Sequence, residues 1–135
     1  MLVDSSVVRT IGAFDPRFFM YGEDLDFSLR ARHARFGIMI VPASVIWHVG
    51  VYDEPRARLR LYYSTRNLLE VMRKHARWIQ WVTFVPNFLI FWVGFYVALA
   101  VVRRRPRLVW ALAVGIMDFI RRRFGEKRTA PGAGT

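Results

Sequence analysis

Three carboxylates lie close together at positions 23–26, inside the run FFMYGEDLDFSLRAR that extends from Phe18 to Arg32. Gly22 separates four bulky apolar residues from Glu23 and Asp24, which stand at the predicted start of a helix. The partial positive charge of a helix start favours ionised carboxylates. An ionised carboxylate on a rigid helix start can act as a general base. The same spacing also fits acids that only cap a helix, so both interpretations stay open.

The helix that would position these carboxylates is predicted from its apolar spacing. Leu25, Leu29 and Phe36 recur at helical intervals, which predicts a helix over Asp24–Arg35 that ends at Gly37. Acidic residues occupy its predicted first turn and arginines its last turn. Both choices complement the helix dipole.

Short elements are predicted on either side of this helix. The first three residues suggest a buried strand, followed by a helix over Ser6–Ile11 with Asp4 or Ser5 as its N-cap. Two further strands are predicted at Ile38–Val41 and Val45–Val49, because short apolar runs are bounded there by glycine and proline. These predicted strands and helices lie within residues 1–55.

The rest of the chain is predicted to lie at a membrane. Residues 56–77 form a basic amphipathic linker helix, which fits either a membrane surface or packing on a soluble domain. Residues 78–102 contain no charged side chain and are long enough to cross a bilayer. Pro86 and Asn87 near the middle would kink one span or turn a re-entrant hairpin. Residues 103–128 form a basic interfacial helix, and residues 129–135 a disordered tail.

Charge is divided unevenly along the 135 residues. The first 55 residues carry five arginines and seven acids, whereas the remainder carries sixteen basic and three acidic residues. Basic residues that flank apolar segments favour anionic lipid headgroups over nucleic acid, and no groove-reading motif is present. The chain has no cysteine, which excludes disulfides and thiolate metal sites.

Three segments in matched order and spacing resemble the carboxyl-terminal half of the family 2 glycosyltransferases, in particular the rhamnosyltransferase-like members that build bacterial surface polysaccharides. They are IGAFDPRFFMYGEDLDFSLRARHARFG, VPASVIWHVG and YYSTRN. The resemblance implies a partial GT-A domain, an α/β sandwich, followed by membrane-associated helices. It also implies an inverting transfer of sugar from a nucleotide-sugar donor to a polysaccharide or lipid-linked acceptor. The catalytic part would face the cytoplasm from the cell membrane.

The resemblance also implies roles for particular residues. Asp24 corresponds to the family's catalytic base, and Glu23 would orient the acceptor or the base. His48 matches a position near the metal and diphosphate, so it would be a ligand of Mg²⁺ or Mn²⁺; a strand-end histidine bonded to backbone is the alternative. Arg66 would contact phosphates of the donor or acceptor, with a solvated or lipid-facing arginine as the alternative.

Parts of the family pattern are missing from this chain. The nucleotide-binding strand and the metal-binding D-x-D motif have no counterpart, since residues 24–26 have D-x-D form only within the acidic pair. The Q-x-x-R-W motif of processive synthases is also absent. We therefore expect a carboxyl-terminal fragment that is inactive alone. The alternative is a small non-enzymatic membrane protein whose basic tail binds anionic lipid.

Overall fold

The protein is described here by a computed structural model that covers residues 2–47 and 54–127. Within these ranges the chain is all-helical, with six α-helices, one π-helical segment and no β-strand. The helices are α1 (Ser5–Ile11), α2 (Glu23–His33), α3 (Glu54–His75), α4 (Trp78–Asn87), the π-helix (Phe88–Val93), α5 (Gly94–Val102) and α6 (Pro106–Ile120).

The predicted α/β architecture, a partial GT-A domain at residues 1–55, is wrong for the described residues. Ile38–Val41 and residues 45–47 are irregular, and so are residues 2–4. A strand needs a neighbouring strand for its backbone N–H and C=O groups, and the described residues provide none. The apolar side chains predicted to be buried in a sheet are consequently exposed: Met39 by 84%, Ile40 by 87% and Trp47 by 93%.

The predicted helices around the acidic run are confirmed, with small shifts at their ends. Asp4 caps α1 by accepting a hydrogen bond from the Ser6 amide at 2.7 Å. The side chain of Arg30 in α2 then donates to the carbonyl of Ile11 and to that of Ala13, the latter at 2.8 Å. These bonds attach the end of α1 to the middle of α2.

Helices α3, α5 and α6 pack together, with α6 lying against both of the others. One apolar cluster joins Leu61 to Ala100 of α5 and to Leu108 and Leu112 of α6. A second cluster joins Tyr62 and Tyr63 of α3 to Ala111 of α6, and the Tyr62 hydroxyl donates to Asp118 at 2.8 Å. Burial of these side chains supplies the main stabilisation of the three-helix unit.

Gly115 lets α6 approach α3 closely. A Cβ atom at this position would lie 2.9 Å from the Tyr62 carbonyl oxygen and 3.3 Å from the Thr65 Cβ. No Cβ atom tolerates the first distance, so one helix would have to move. Glycine at position 115 therefore sets the spacing between the two helices.

Residues 78–102 form one continuous helix, here called the long helix, which is long and apolar enough to cross a membrane. Only 11% of its most apolar window is buried within the protein. This low value argues against the core helix of a soluble fold. The long helix passes through Pro86 without a hairpin turn and widens into the π-helix immediately afterwards. Proline cannot donate to the preceding turn, and a π-helical turn is one way for a helix to accommodate the break.

Replacing Gly115 by alanine tests the close packing of α3 and α6. We expect Gly115→Ala to lower the free energy of unfolding by ~1–3 kcal/mol through overpacking. Gly94→Ala is the matched control, because a Cβ there would lie 3.5 Å from its nearest neighbour, the Leu89 carbonyl oxygen. The control should be neutral or stabilising by up to ~1 kcal/mol. Thermal unfolding in detergent measures both, and equal midpoints for the two variants would contradict the assignment.

Candidate functional site

The loop that leads into the acidic pair has an unusual backbone. Phe19 and Tyr21 have positive φ angles of 58° and 62°, and Gly22 follows at 91°. Only glycine adopts such angles without steric cost, so the backbone of this loop is strained at two non-glycine residues, Phe19 and Tyr21. Strain of this kind persists only where surrounding contacts hold the backbone in place, and it is common at functional sites.

Asn67 of α3 supplies those contacts to the loop. Its side-chain amide nitrogen lies 2.9 Å from the Phe18 carbonyl oxygen, 2.8 Å from that of Met20 and 2.6 Å from that of Tyr21. The side chain of Asn67 is buried, and its own oxygen accepts a bond from Arg66 Nε at 2.9 Å. The side-chain amide of Asn67 thus contacts three backbone carbonyl groups of the loop that leads into the acidic pair.

Arg66 lies beside Asn67 and is also buried. Its guanidinium donates to the carbonyl oxygens of Arg17 and Phe18, both at 3.2 Å, and to that of Gly125 at 2.9 Å. It also lies 4.9 Å from the centre of the Tyr63 ring. The structure therefore places this side chain in a structural contact between the loop, α3 and the segment after α6. If Arg66 bound a phosphate, as the resemblance implies, its guanidinium would have to give up these hydrogen bonds to carbonyl oxygens.

The acidic pair occupies the first turn of α2 directly after this loop. Asp24 is exposed, and its Oδ1 accepts a bond from the neighbouring Leu25 amide at 2.8 Å. Glu23 is partly buried, and its Oε2 is shielded from solvent without any hydrogen-bond donor in the described chain. A shielded acceptor that lacks a donor costs ~1–3 kcal/mol, and a ligand hydroxyl could reach this oxygen only after the residues that cover it move apart.

Asp26, the third carboxylate of the run, has a structural role. It is fully buried and contacts Lys74 Nζ at 2.5 Å, His75 Nε2 at 2.8 Å and Arg30 Nε at 2.9 Å. Burial alone would raise the pKa of Asp26. The hydrogen bonds from Lys74, His75 and Arg30 together outweigh burial and hold the pKa below its ordinary value. Asp26 thus attaches α2 to the end of α3.

Asp15 extends this ionic contact to the turn before the loop. Its carboxylate pairs with Arg17 at 2.6 Å and with Lys74 at 2.9 Å. The Arg17 side chain is the largest cause of the lowered pKa of Asp15, with the Lys74 contact adding to it against the effect of burial. Arg17 also lies 3.4 Å from the buried carboxylate of Glu70 in α3. The loop is therefore held on α3 by charged side chains as well as by amides.

Sequence reasoning missed Asn67, Asp15, Lys74 and His75 as residues that build this site. Each acts through a partner more than forty residues away in the chain, and helical periodicity carries no signal for such pairs. The one available signal was the position of Asn67 in the YYSTRN segment beside Arg66.

The predicted metal site cannot be built from the described residues. His48 lies outside them, and residues 2–47 and 54–127 hold no group of three or more His, Asp or Glu side chains placed to bind a metal ion. The expected Mg²⁺ or Mn²⁺ therefore stays a prediction that depends on His48.

Comparisons of this chain with protein families, with curated proteins and with solved structures find no match in any of the three. The resemblance to family 2 glycosyltransferases accordingly rests on the three sequence segments that carry it.

Asn67→Asp tests whether the amide holds the loop. The variant replaces a donor by an acceptor that faces three carbonyl oxygens, so we expect a loss of ~2–4 kcal/mol in unfolding free energy. Gln80→Glu is the matched control, because the Gln80 oxygen only accepts, from the Arg77 amide at 2.7 Å, and glutamate retains that bond. Thermal unfolding in detergent compares the two. Similar stability for both variants would contradict the role given to Asn67.

The lowered pKa of Asp26 makes its contribution to stability dependent on pH. The contribution is present above the ordinary aspartate pKa of 3.8 and is lost as the pH falls through the lowered folded value. Asp26→Asn should therefore be clearly less stable than the parent at about pH 7, and this gap should narrow by about pH 3. Glu126→Gln, at an exposed position, is the control. A gap of constant size across this range would contradict the assignment.

Proposed function

We propose that this chain is the acceptor-side, membrane-bound part of an inverting family 2 glycosyltransferase, with Asp24 as its catalytic base. One observation carries the proposal. An exposed carboxylate stands beside a shielded carboxylate oxygen that has no donor within ranges 2–47 and 54–127, at a helix start held by a strained loop. The order of the three resembling segments adds independent support.

The chemistry needs few groups from this chain. Asp24 takes the proton from an acceptor hydroxyl, whose oxygen then forms a bond to the anomeric carbon of the donor sugar. The bond from that carbon to the nucleoside diphosphate breaks, and the diphosphate leaves with the electron pair. Attack from the face opposite the leaving group inverts the configuration. Glu23 accepts a hydrogen bond from a second acceptor hydroxyl and so orients the attacking group.

Donor binding is assigned to residues other than those described. No part of this chain resembles the family's nucleotide-binding strand or its metal-binding motif. We therefore propose that transfer requires a donor-binding half and that the 135 residues alone are inactive. Donor selectivity would then reside in that half.

Membrane attachment is the second part of the proposal. The long helix supports attachment to the cell membrane, and a cytoplasmic orientation of the acidic pair would give access to nucleotide sugars. The acceptor would be a polysaccharide or a lipid-linked glycan held near the bilayer. The loop, α2 and α3 form one bonded unit, and Leu61 of α3 lies in one apolar cluster with Ala100 of the long helix, which supports a base that is connected to the membrane-attached part.

A non-enzymatic membrane protein is the competing function. Exposed arginines at residues 103–105 and 121–123 follow the long helix and α6, as an anchor for anionic lipid would require. The two functions differ in what lies upstream of the first codon. An in-frame donor-binding half with a D-x-D motif favours the enzyme, whereas a nearby in-frame stop favours the anchor.

Asp24→Asn tests the base assignment in the polypeptide encoded by the complete reading frame. Membranes that contain it are supplied with labelled nucleotide sugars, and incorporation into glycan is measured. We expect a loss of ~10²–10⁴-fold in transfer, because the general base is removed, with nucleotide-sugar binding retained. Asp4→Asn is the matched control at another helix start, where asparagine caps as well as aspartate. Unchanged turnover in Asp24→Asn would overturn the assignment.

A further inference from the structure

A cleft beside α6 is not used by the function proposed above. It has a volume of about 720 Å³ and lies between the outer face of α6 and the segment that follows this helix. The residues that matter for its chemistry are Trp110, Val114, Met117, Arg121, Arg123 and Lys127. We propose that this cleft binds the phosphate headgroup and the adjoining apolar part of one anionic membrane lipid.

The apolar wall of the cleft is a stripe along one face of α6. Trp110, Val114 and Met117 follow helical spacing, and the stripe continues to Arg121 over about 16 Å. Trp110 is 72% exposed and Met117 44% exposed. The opposite face of the helix, with Leu112 among its residues, is buried against α3 and α5. The stripe is therefore the apolar face that the fold leaves open to a ligand.

The charged end of the cleft has cationic groups available for a phosphate. The side chains of Arg121 and Arg123 are exposed and make no hydrogen bond or ion pair with any residue in ranges 2–47 and 54–127. Lys127 Nζ lies 4.1 Å from the centre of the Tyr62 ring, in a position to add a third positive charge. Guanidinium groups suit phosphate oxygens because they offer paired donors in one plane.

Acidic groups in the cleft reduce this positive charge but do not cancel it. Asp118 accepts from the Tyr62 hydroxyl and lies 3.7 Å from Lys127 Nζ, while Glu126 is exposed at the rim. Burial of the Tyr62 ring, together with its hydrogen bond to Asp118, raises the pKa of Tyr62 to about 12, so the phenol stays neutral. The lining contains these two acids and four basic residues, namely Arg66, Arg121, Arg123 and Lys127. The cleft therefore retains an excess of two positive charges.

A lipid fits this combination better than a free anion or a nucleic acid. An inorganic phosphate would leave the stripe uncovered, and a nucleic acid would need a longer basic track than three cationic side chains. The cleft belongs to the helix that packs on α5, the final part of the long helix. An apolar helix that is followed directly by a cluster of arginines, as α6 is by Arg121–Arg123, is typical of the boundary between headgroups and acyl chains. The inference depends on membrane attachment and is independent of sugar transfer.

The binding experiment uses the full chain in micelles of a zwitterionic detergent. Short-chain phosphatidylglycerol is titrated in, and calorimetry measures affinity and stoichiometry. We expect saturable binding of one lipid per chain, weakened by about tenfold or more in Arg121→Gln/Arg123→Gln. The matched control is Arg103→Gln/Arg105→Gln, which removes the same charge from an equally exposed site outside the cleft. It should change the affinity by no more than about twofold.

Further titrations identify the source of the phosphate and the role of the stripe. Trp110→Ala should weaken binding of the lipid, while inorganic phosphate and short-chain phosphatidylcholine should bind poorly to the parent chain. Circular dichroism confirms that each variant folds. Equal losses in the two double variants would overturn the proposal, because they would indicate diffuse charge attraction. Tight binding of inorganic phosphate or of a DNA duplex, or unsaturable lipid uptake, would overturn it as well.

Discussion

Hydrogen bonds from Arg66 and Asn67 to backbone carbonyls are the interaction on which the rest of the structure depends. These two buried side chains of α3 donate to the carbonyl groups of residues 17, 18, 20 and 21 and of Gly125. Carbonyls buried without donors would each cost ~1–3 kcal/mol, so the loop adopts its left-handed angles only because α3 satisfies them. Arg66 and Asn67 thus form a junction between the loop before the acidic pair, α3 and the segment after α6. The position of the acidic pair depends on this junction.

Buried charge is balanced by neighbouring charge throughout this junction. Asp26 and Glu70 are both fully buried, and each lies against basic partners from a neighbouring turn or helix. A buried carboxylate without such partners would be strongly destabilising. Residues 23–26 therefore contain carboxylates in two different environments. Asp26 is fully engaged in structure, whereas Asp24 is exposed and one oxygen of Glu23 has no donor in the part of the chain that the structure describes. The latter two are the carboxylates that remain available for chemistry.

Apolar surface is distributed so that much of it faces outward. The long helix is mostly uncovered by protein, and the stripe on α6 is likewise open. In water such a surface would favour association, whereas a membrane would cover it. Gly115 and the two apolar clusters along α3 nevertheless make the helices one unit, so membrane attachment and the acidic pair are mechanically connected.

The sequence by itself determined the helices, the uncharged long segment and the position of Glu23 and Asp24 at a helix start, because caps, dipoles and apolar spacing are local. The strands predicted at Ile38–Val41 and over the described part of the second segment, residues 45–47, were wrong. A strand exists only if another strand pairs with it, and pairing is not local. The tertiary structure alone decided which carboxylate is buried with Lys74 and which is exposed. It also placed the Arg66 guanidinium among backbone carbonyl groups of the loop and of Gly125. Those outcomes depend on contacts between residues more than forty positions apart, which no periodicity in the sequence encodes.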